Sequence, residues 1–417
     1  MNAMKVFGEH EQKVIDQLAR CVEPEEGARG VLCADGHYGY SQPVGGAVAY
    51  REHISPAGVG YDIGCGNKAV LTDLSHDSIG DVASVMDEIA RRISFGVGVP
   101  NDEQADHPVL DEIREAPVGF QRSMLDLAAK QLGTVGGGNH YVDLFHDEQG
   151  RVWIGVHFGS RGFGHKTASR YFGDGPMDAP PALLSIGSEQ GQEYIAAMEL
   201  AGRYAYAGRD VVVDKVLSIL GAGALEEVHN HHNYAWREEH DGASWWVVRK
   251  GCTPAFPGQR GFVGATMTGT SVILEGVDSP VSAEAFYSTV HGAGRAMSRT
   301  AAAGKWRSRW TCLNRDCPWV QPPHTHKPEA CPACGGVKLA KRRVQVAEGA
   351  IDWSEVEELI HSRGIELRGA NAEEAPGAYK DLDQVLAHHE GTVRILHTLT
   401  PIGVAMAPGD VVDPYKD

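Results

Sequence analysis

Val59-Gly60-Tyr61-Asp62-Ile63-Gly64-Cys65-Gly66-Asn67 delivers an aspartate and a cysteine three residues apart on a turn, with glycines on both sides of the cysteine. Glycine admits positive φ and close backbone approach, so Gly64 and Gly66 can hold Cys65 on a tight turn facing a site. A hard carboxylate beside a soft thiolate suits a borderline divalent metal such as Mn or Zn. Taken alone, a cysteine beside such a Gly-rich turn is more often a small buried residue. The rest of the chain changes that balance.

Working outward, three further turns offer metal-type ligands. Gly133-Thr134-Val135-Gly136-Gly137-Gly138-Asn139-His140 follows a helix expected over 119–132. An apolar strand at 152–157 ends in His157-Phe158-Gly159-Ser160-Arg161-Gly162, and Val228-His229-Asn230-His231-His232-Asn233-Tyr234 follows a long helix at 188–220. Any one of these histidines reads as a hydrogen-bonded core residue. Asp62, Cys65, His140, His157 and His232 together read as one shared site. Five ligands exceed what one tetrahedral ion needs. A pair of ions bridged by Cys65 is the economical solution, and paired metals suit phosphoryl or nucleotidyl transfer. In Ser288-Thr289-Val290-His291-Gly292-Ala293-Gly294-Arg295 the small residues expose backbone N–H groups able to cradle phosphate, with charge from Arg295. His291 is a sixth ligand or a nucleophile, and spacing does not choose between them.

The remaining elements predict an α+β chain. Helical periodicity marks 10–22, Ile79 to Ile93 and 353–363; strands are expected at Gly30–Ala34, 68–72, Trp245–Val248, Ser271–Leu274 and Val393–Leu399. One segment breaks the pattern. Cys312-x4-Cys317 and Cys331-Pro332-Ala333-Cys334-Gly335-Gly336 form a zinc-ribbon knuckle pattern, with His324 or His326 as an alternative ligand. The expected organisation is a catalytic domain in two parts, 1–304 and 344–417, interrupted by a zinc ribbon at 305–343.

The 417 residues include 51 glycines clustered in short motifs rather than low-complexity tracts. No apolar run reaches membrane-spanning length and Met1 to Gln12 lacks a signal-peptide core, so a cytoplasmic protein with no membrane partner is expected. In that compartment eight cysteines serve metals or catalysis rather than disulfides. The formal charge of −17 argues against a generic nucleic-acid binder but leaves room for RNA at a local basic patch. Lys338, Lys341, Arg342 and Arg343 form such a patch, or simply a solvated face.

Several motifs resemble, in order, those of the RtcB family of RNA ligases. They are Asp35-Gly36-His37 with Pro43 to Gly46, Val59 to Gly66, Gly133 to His140, His157 to Gly162, and His232-Asn233-Tyr234. Arg249-Lys250-Gly251 with Ala255 to Gly258, His291 to Arg299, and Ala378-Tyr379-Lys380-Asp381 complete the series. The likeness runs from about residue 30 to 404, apart from the ribbon. It implies an α+β fold holding two Mn ions, one on Cys65, His157 and His232, the other on Asp62, Cys65 and His140. It also implies GTP as the nucleotide and His291 as the residue that takes GMP. The family passes GMP to an RNA 3′-phosphate, after opening any 2′,3′-cyclic phosphate, and a 5′-hydroxyl end then seals the strand. Asn139 and Arg161 would hold a phosphate, Tyr379 would border the guanine, and Asp143, with Gly292, Ala293, Gly294 and Arg295, would complete the nucleotide site. RNA with 3′-phosphate and 5′-hydroxyl ends is the implied partner, with an archease-type activator as a second.

The chain departs from the family at three places. Asp143 stands where a Glu is usual, Ala265-Thr266-Met267-Thr268 replaces Gly-Ser-Met-Gly, and Met406 takes the place of a lysine that meets guanine, before a tail that runs on to Asp417. Methionine offers only a weak acceptor. A second reading is therefore a 3′-end nucleotidyltransferase or cyclic phosphodiesterase with altered nucleotide choice. A non-catalytic zinc-ribbon RNA-binding protein is the third, and the intact set from Asp62 to His291 speaks against it.

Overall fold

A computed structural model of the chain describes residues 4–172 and 180–409; the tail to Asp417 lies outside the described residues. Two sheets and one long helix position everything that follows. In the larger sheet the order is Arg260–Val263, Ser271–Gly276, Val393–Pro408, Tyr141–Asp147, Arg151–Phe158, Gly66–Ser75, Ala224–His231, with Glu366–Ala370 running parallel beside Val393–Pro408. The smaller sheet runs Met4–Val6, Arg29–His37, Val44–Tyr50, Ala243–Lys250, Asn233–His240. The chain passes from one sheet to the other through a single residue, His232, between Ala224–His231 and Asn233–His240. Strands and helices mix without regular alternation, which is the expected α+β class.

The helix Glu189–Leu220 is capped by the Ser188 side chain, which accepts from Gly191 N, and stops at Gly221 in the left-handed region (φ 62°). Its buried face, which includes Met198 and Tyr204, packs into the core against Phe163. No helix among the described residues is long and apolar enough to cross a membrane.

Two expected elements come out differently. The helix expected over 119–132 is two pieces, Gly119–Arg122 and Leu125–Gln131. Between them the Ser123 hydroxyl donates to Phe120 O (2.7 Å), the local bonding that competes with a helix. The strand expected at Val393–Leu399 runs on to Pro408, and the register shift between Pro401 and Gly403 shows how a proline survives inside it. Lys305–Cys312 and Leu339–Ala347 form a two-stranded antiparallel hairpin of their own, so the second strand runs past Arg343.

Candidate active site

Four neighbouring strands of the larger sheet bring their ends together. His140 immediately precedes Tyr141–Asp147, His157 lies at the end of Arg151–Phe158, Cys65 precedes Gly66–Ser75, and His232 follows Ala224–His231. Register holds them level: Tyr141 and Asn67 both oppose His157, and Gly66 opposes His231. A Cβ on Gly66 would stand 2.1 Å from Asn230 O, so only glycine lets the Cys65 strand pair this closely.

Cys65 Sγ lies 3.6 Å from His140 Nε2 and 3.7 Å from His157 Nε2, while His140 Nε2 is 3.2 Å from Asp62 Oδ2. Two donor sets result, Cys65 with His157 and His232, and Asp62 with Cys65 and His140, each with its ligand atoms within 4.8 Å of one another. Hydrogen bonds orient two of the histidines as ligands. His140 Nδ1 bonds Val135 O (2.9 Å) and His157 Nδ1 bonds Asn67 Oδ1 (2.6 Å), leaving both Nε2 lone pairs towards Cys65. His232 Nδ1 is buried with no partner among the described residues. Burial, then the neighbouring imidazoles, push His157 and His232 well below the usual range. Burial would raise the Asp62 carboxyl, but His140 and Arg161 hold it below its ordinary value. Burial and Asp62 push the Cys65 thiol well up; divalent cations at the donor sets would reverse that. Shared thiolate, oriented imidazoles and carboxylate together fit a pair of borderline divalent ions.

Arg209, fully buried on the long helix, fixes the frame behind these ligands. Its Nη1 donates to Gly64 O (2.9 Å) and Phe158 O (2.6 Å), and its Nε donates to His229 Nε2 (2.8 Å).

His291 follows the short strand Ser288–Val290, and its ring lies 4.8 Å, centroid to centroid, from that of His232. The partner that orients it is Asp35, at the end of the smaller sheet's Arg29–His37. Asp35 Oδ2 accepts from His291 Nδ1 (2.7 Å) and from His291 N (2.9 Å). Burial would raise Asp35, yet the His291 ring holds it below the usual carboxylate range. An ionised Asp35 only accepts, so Nδ1 is the donor, and in the neutral ring Nε2 is the nitrogen with the free lone pair. A Cβ on Gly294 (φ 75°) would stand 2.1 Å from Asp35 O; this glycine serves the His291–Asp35 approach as well as a ligand.

Asp62, Cys65, His140, His157, His232, His291 and Gly294 line one cleft of about 1080 Å³ with Asn139, Asp143, Arg161, Gly292, Ala293, Arg295 and Tyr379. Arg161 Nη1 lies 3.2 Å from His140 Nδ1. Arg295 is less open than its sequence context implies: it donates to Glu374 Oε2 (3.0 Å) and the Tyr379 hydroxyl (2.8 Å), and Arg299 donates to Glu374 Oε1 (2.9 Å). Buried Glu374 thus ties two arginines and Tyr379 into one wall. Met406 lies on another wall, opposite Tyr141 and in an apolar cluster with Met267, Ile360 and Val404. There Asp143 Oδ1 and the Tyr141 hydroxyl are buried without partners among the described residues, and burial pushes Asp143 well up. Lys380 points elsewhere, donating to Ala34 O (2.8 Å) and Gly36 O (3.0 Å) on the Asp35 strand.

This geometry coincides with a family match. The sequence model described as tRNA-splicing ligase RtcB matches residues 25–124 and 111–315. The chain belongs to the RtcB family. It is 29% identical to the tRNA-splicing ligase RtcB of Thermococcus kodakarensis, covering 90% of this chain and 87% of the relative. The RNA-splicing ligase RtcB of Escherichia coli K12 is 27% identical over 88% of this chain and 87% of its own length. That of Mycobacterium bovis is 30% identical over 88% and 94%. Every RtcB motif named from the sequence as a ligand or nucleotide position, from Asp62 to Tyr379, reaches the one cleft.

The ribbon cysteines do not. Cys312, Cys317, Cys331 and Cys334 form a separate set with their sulfurs within 4.8 Å, and the Asn314 side chain donates to Cys334 Sγ (3.2 Å). His324 and His326 are not in it. Three residues that hold the site in place escaped sequence reasoning as site members. Asp35 carried a signal, its place in Asp35-Gly36-His37. Arg209 and Glu374 carried none, since their partners are distant in the chain.

Proposed function

We propose that the chain is a GTP- and Mn-dependent RNA ligase that joins 3′-phosphate, or 2′,3′-cyclic phosphate, ends to 5′-hydroxyl ends in RNA repair or tRNA splicing. The observation that carries this is Cys65 shared by two donor sets, with an Asp35-oriented His291 beside them. Asp62, Cys65 and His140 would hold one ion, and Cys65, His157 and His232 the other. Bound there, the ions would neutralise the charge that develops on phosphate oxygens. His291 Nε2, the ring nitrogen left free when Nδ1 donates to Asp35, attacks the α-phosphorus of GTP, and pyrophosphate leaves. The GMP then passes from His291 to an oxygen of the RNA 3′-phosphate. Attack by the 5′-hydroxyl, which gives up its proton, forms the phosphodiester and releases GMP. Asn139, Arg161 and the loop Gly292–Arg295 orient phosphates, while Asp143 and Tyr379 border the nucleotide.

The division into 1–304, 305–343 and 344–417 and a structural Zn on Cys312, Cys317, Cys331 and Cys334 belong to the same reading, as do a cytoplasmic location and an archease-type activator. The apolar wall around Met406 favours one variant of it, a relaxed nucleotide choice or end-modification without sealing. One gel assay separates the outcomes. Labelled RNA with 3′-phosphate and 5′-hydroxyl ends is incubated with Mn and each nucleoside triphosphate in turn, with and without activator. A sealed product supports ligation. A nucleotide-capped 3′-end without sealing supports the variant, and unchanged RNA in every lane overturns both.

A further inference from the structure

The hairpin between Lys305 and Ala347 has a charge opposite to that of the chain as a whole. It carries nine lysines and arginines against two acidic residues, Asp316 and Glu329, in a chain of formal charge −17. Directly opposed residues of a hairpin share a face. Here that rule sets Trp306 with Gln345, Ser308 with Arg343, and Trp310 with Lys341 on one side. The face therefore alternates indole rings and cations. Arg343 Cζ lies 5.5 Å from the Trp306 ring centroid, and Lys327 Nζ lies 4.4 Å from that of Trp310. Trp306 is 38% exposed, and Lys341 and Arg343 are exposed as well. Some cations elsewhere on the surface are paired with carboxylates, as Arg260 is with Glu226 and Arg394 with Glu275.

The face is fixed to the rim of the cleft. Ala350 N donates to Ala301 O (2.9 Å), Ile351 N to Ala302 O (3.1 Å), and Trp306 Nε1 to Ala303 O (3.3 Å), so both roots of the hairpin are tied to the helix Arg299–Ala303. Arg299, which opens that helix, lines the cleft. At 1.5 Å per residue, the five-residue helix separates the two by only about 8 Å.

Rings alternating with exposed cations match single-stranded nucleic acid, in which each base offers a π-face and each linkage a charge. A duplex buries its base faces in the stack. We propose that the face bearing Trp306, Trp310, Lys341 and Arg343 binds a single-stranded segment of RNA beside the end held in the cleft. Bases stack on the two indoles and phosphates meet the cations. That this strand is the substrate rests on the RNA-joining reading above; the binding itself does not.

The test is fluorescence anisotropy of a labelled oligouridine with the full-length, zinc-loaded protein, alongside nucleotide labelling of His291. Trp306→Ala alone, and Lys341→Glu with Arg343→Glu, should each weaken binding about tenfold, and binding should fall steeply with salt. A duplex of equal length should bind less tightly. Zinc analysis of each variant identifies a collapsed hairpin. Should Trp306→Ala lose zinc, the exposed charge reversals decide. Wild-type affinity in the charge-reversed protein, or a preference for duplex, overturns the proposal even where His291 is labelled. Weakened binding by the variants with no labelling of wild-type His291 sustains the RNA face and removes the ligase reading instead.

Discussion

The cleft and the ribbon both gather metal-type ligands, but by opposite routes. In the cleft, Cys65 meets His140 and His157 from 75 and 92 residues away, and the cysteine and histidine ligands are buried at the ends of four paired strands. They are oriented by groups equally remote: Asn67 on His157, and Arg209 on the carbonyls of Gly64 and Phe158. In the ribbon, all four thiols fall within one short hairpin, and local groups such as Asn314 bond them. The Gly336 N–H, then the neighbouring thiols, draw the exposed Cys334 down to about 7. A site assembled by the whole fold can stand without ions; one assembled by a hairpin with little core of its own would depend on a bound metal in order to fold.

The largest effects belong to the cleft and separate its proposed ligands from its proposed nucleophile. Cys65→Ala removes the atom common to both donor sets, so Mn content and nucleotide labelling should both be lost. His291→Ala should keep its Mn and its fold but drop labelling and sealing by about a thousandfold or more. Mn analysis and acid-labile, alkali-stable label from α-labelled GTP are the readouts. A labelled His291→Ala protein, or one that has lost its Mn, would break the assignment of His291 as nucleophile.

Asp35→Asn sharpens the same point. The substitution keeps size and bonding reach but removes the charge that fixes the His291 tautomer, so labelling should fall by about 10²–10⁴-fold with metal content unchanged. The sign for stability follows from the lowered pKa of Asp35. Its contribution is complete above the unfolded carboxylate value and is lost as pH falls through the lower folded value. The variant should accordingly show a flatter acid limb in thermal unfolding. An unchanged labelling rate would leave His291 oriented by something other than Asp35.

These contrasts explain what the sequence made legible. The turns at Asp62–Cys65, His140, His157 and His232 were readable because each puts a ligand against its own small neighbours within a few residues. So was the ribbon, whose chemistry is written in two cysteine pairs. The Asp35–His291 pair was not, because its members lie 256 residues apart and nothing local encodes the contact. Nor was the two-arginine node at Glu374, or the clamp at Arg209. The strand through Pro401 was cut short for a different reason: proline argues against a central strand, and the bulge that admits it is a tertiary feature.

A smaller effect is expected at the base wall. Met406 packs with Met267 and Val404 on an apolar wall of the cleft, and Lys380 is committed to the Asp35 strand. Met406→Lys should increase the preference for GTP over ATP by about tenfold, the value of one charge-assisted hydrogen bond. Competition labelling with the two nucleotides measures it. Equal and strong GTP preference in both proteins would assign base reading to another group, with Asp143 and Tyr141 the nearest unsatisfied candidates.

The smallest effect on the cleft should come from destroying the ribbon's metal site, and that experiment tests the comparison itself. Cys312→Ser with Cys334→Ser removes one thiol from each cysteine pair, so about one Zn per chain should be lost. The cleft shares no ligand with the ribbon, and their connection runs through the short helix Arg299–Ala303. Independent sites typically add to within about 0.5 kcal/mol, so nucleotide labelling of His291 should change by no more than about twofold, with Mn retained. Elemental analysis of both metals beside the labelling rate gives the answer in one preparation. If zinc loss also removes Mn or labelling, Arg299 and Glu374 transmit the hairpin's state to the cleft. The two regions would then be one site rather than two.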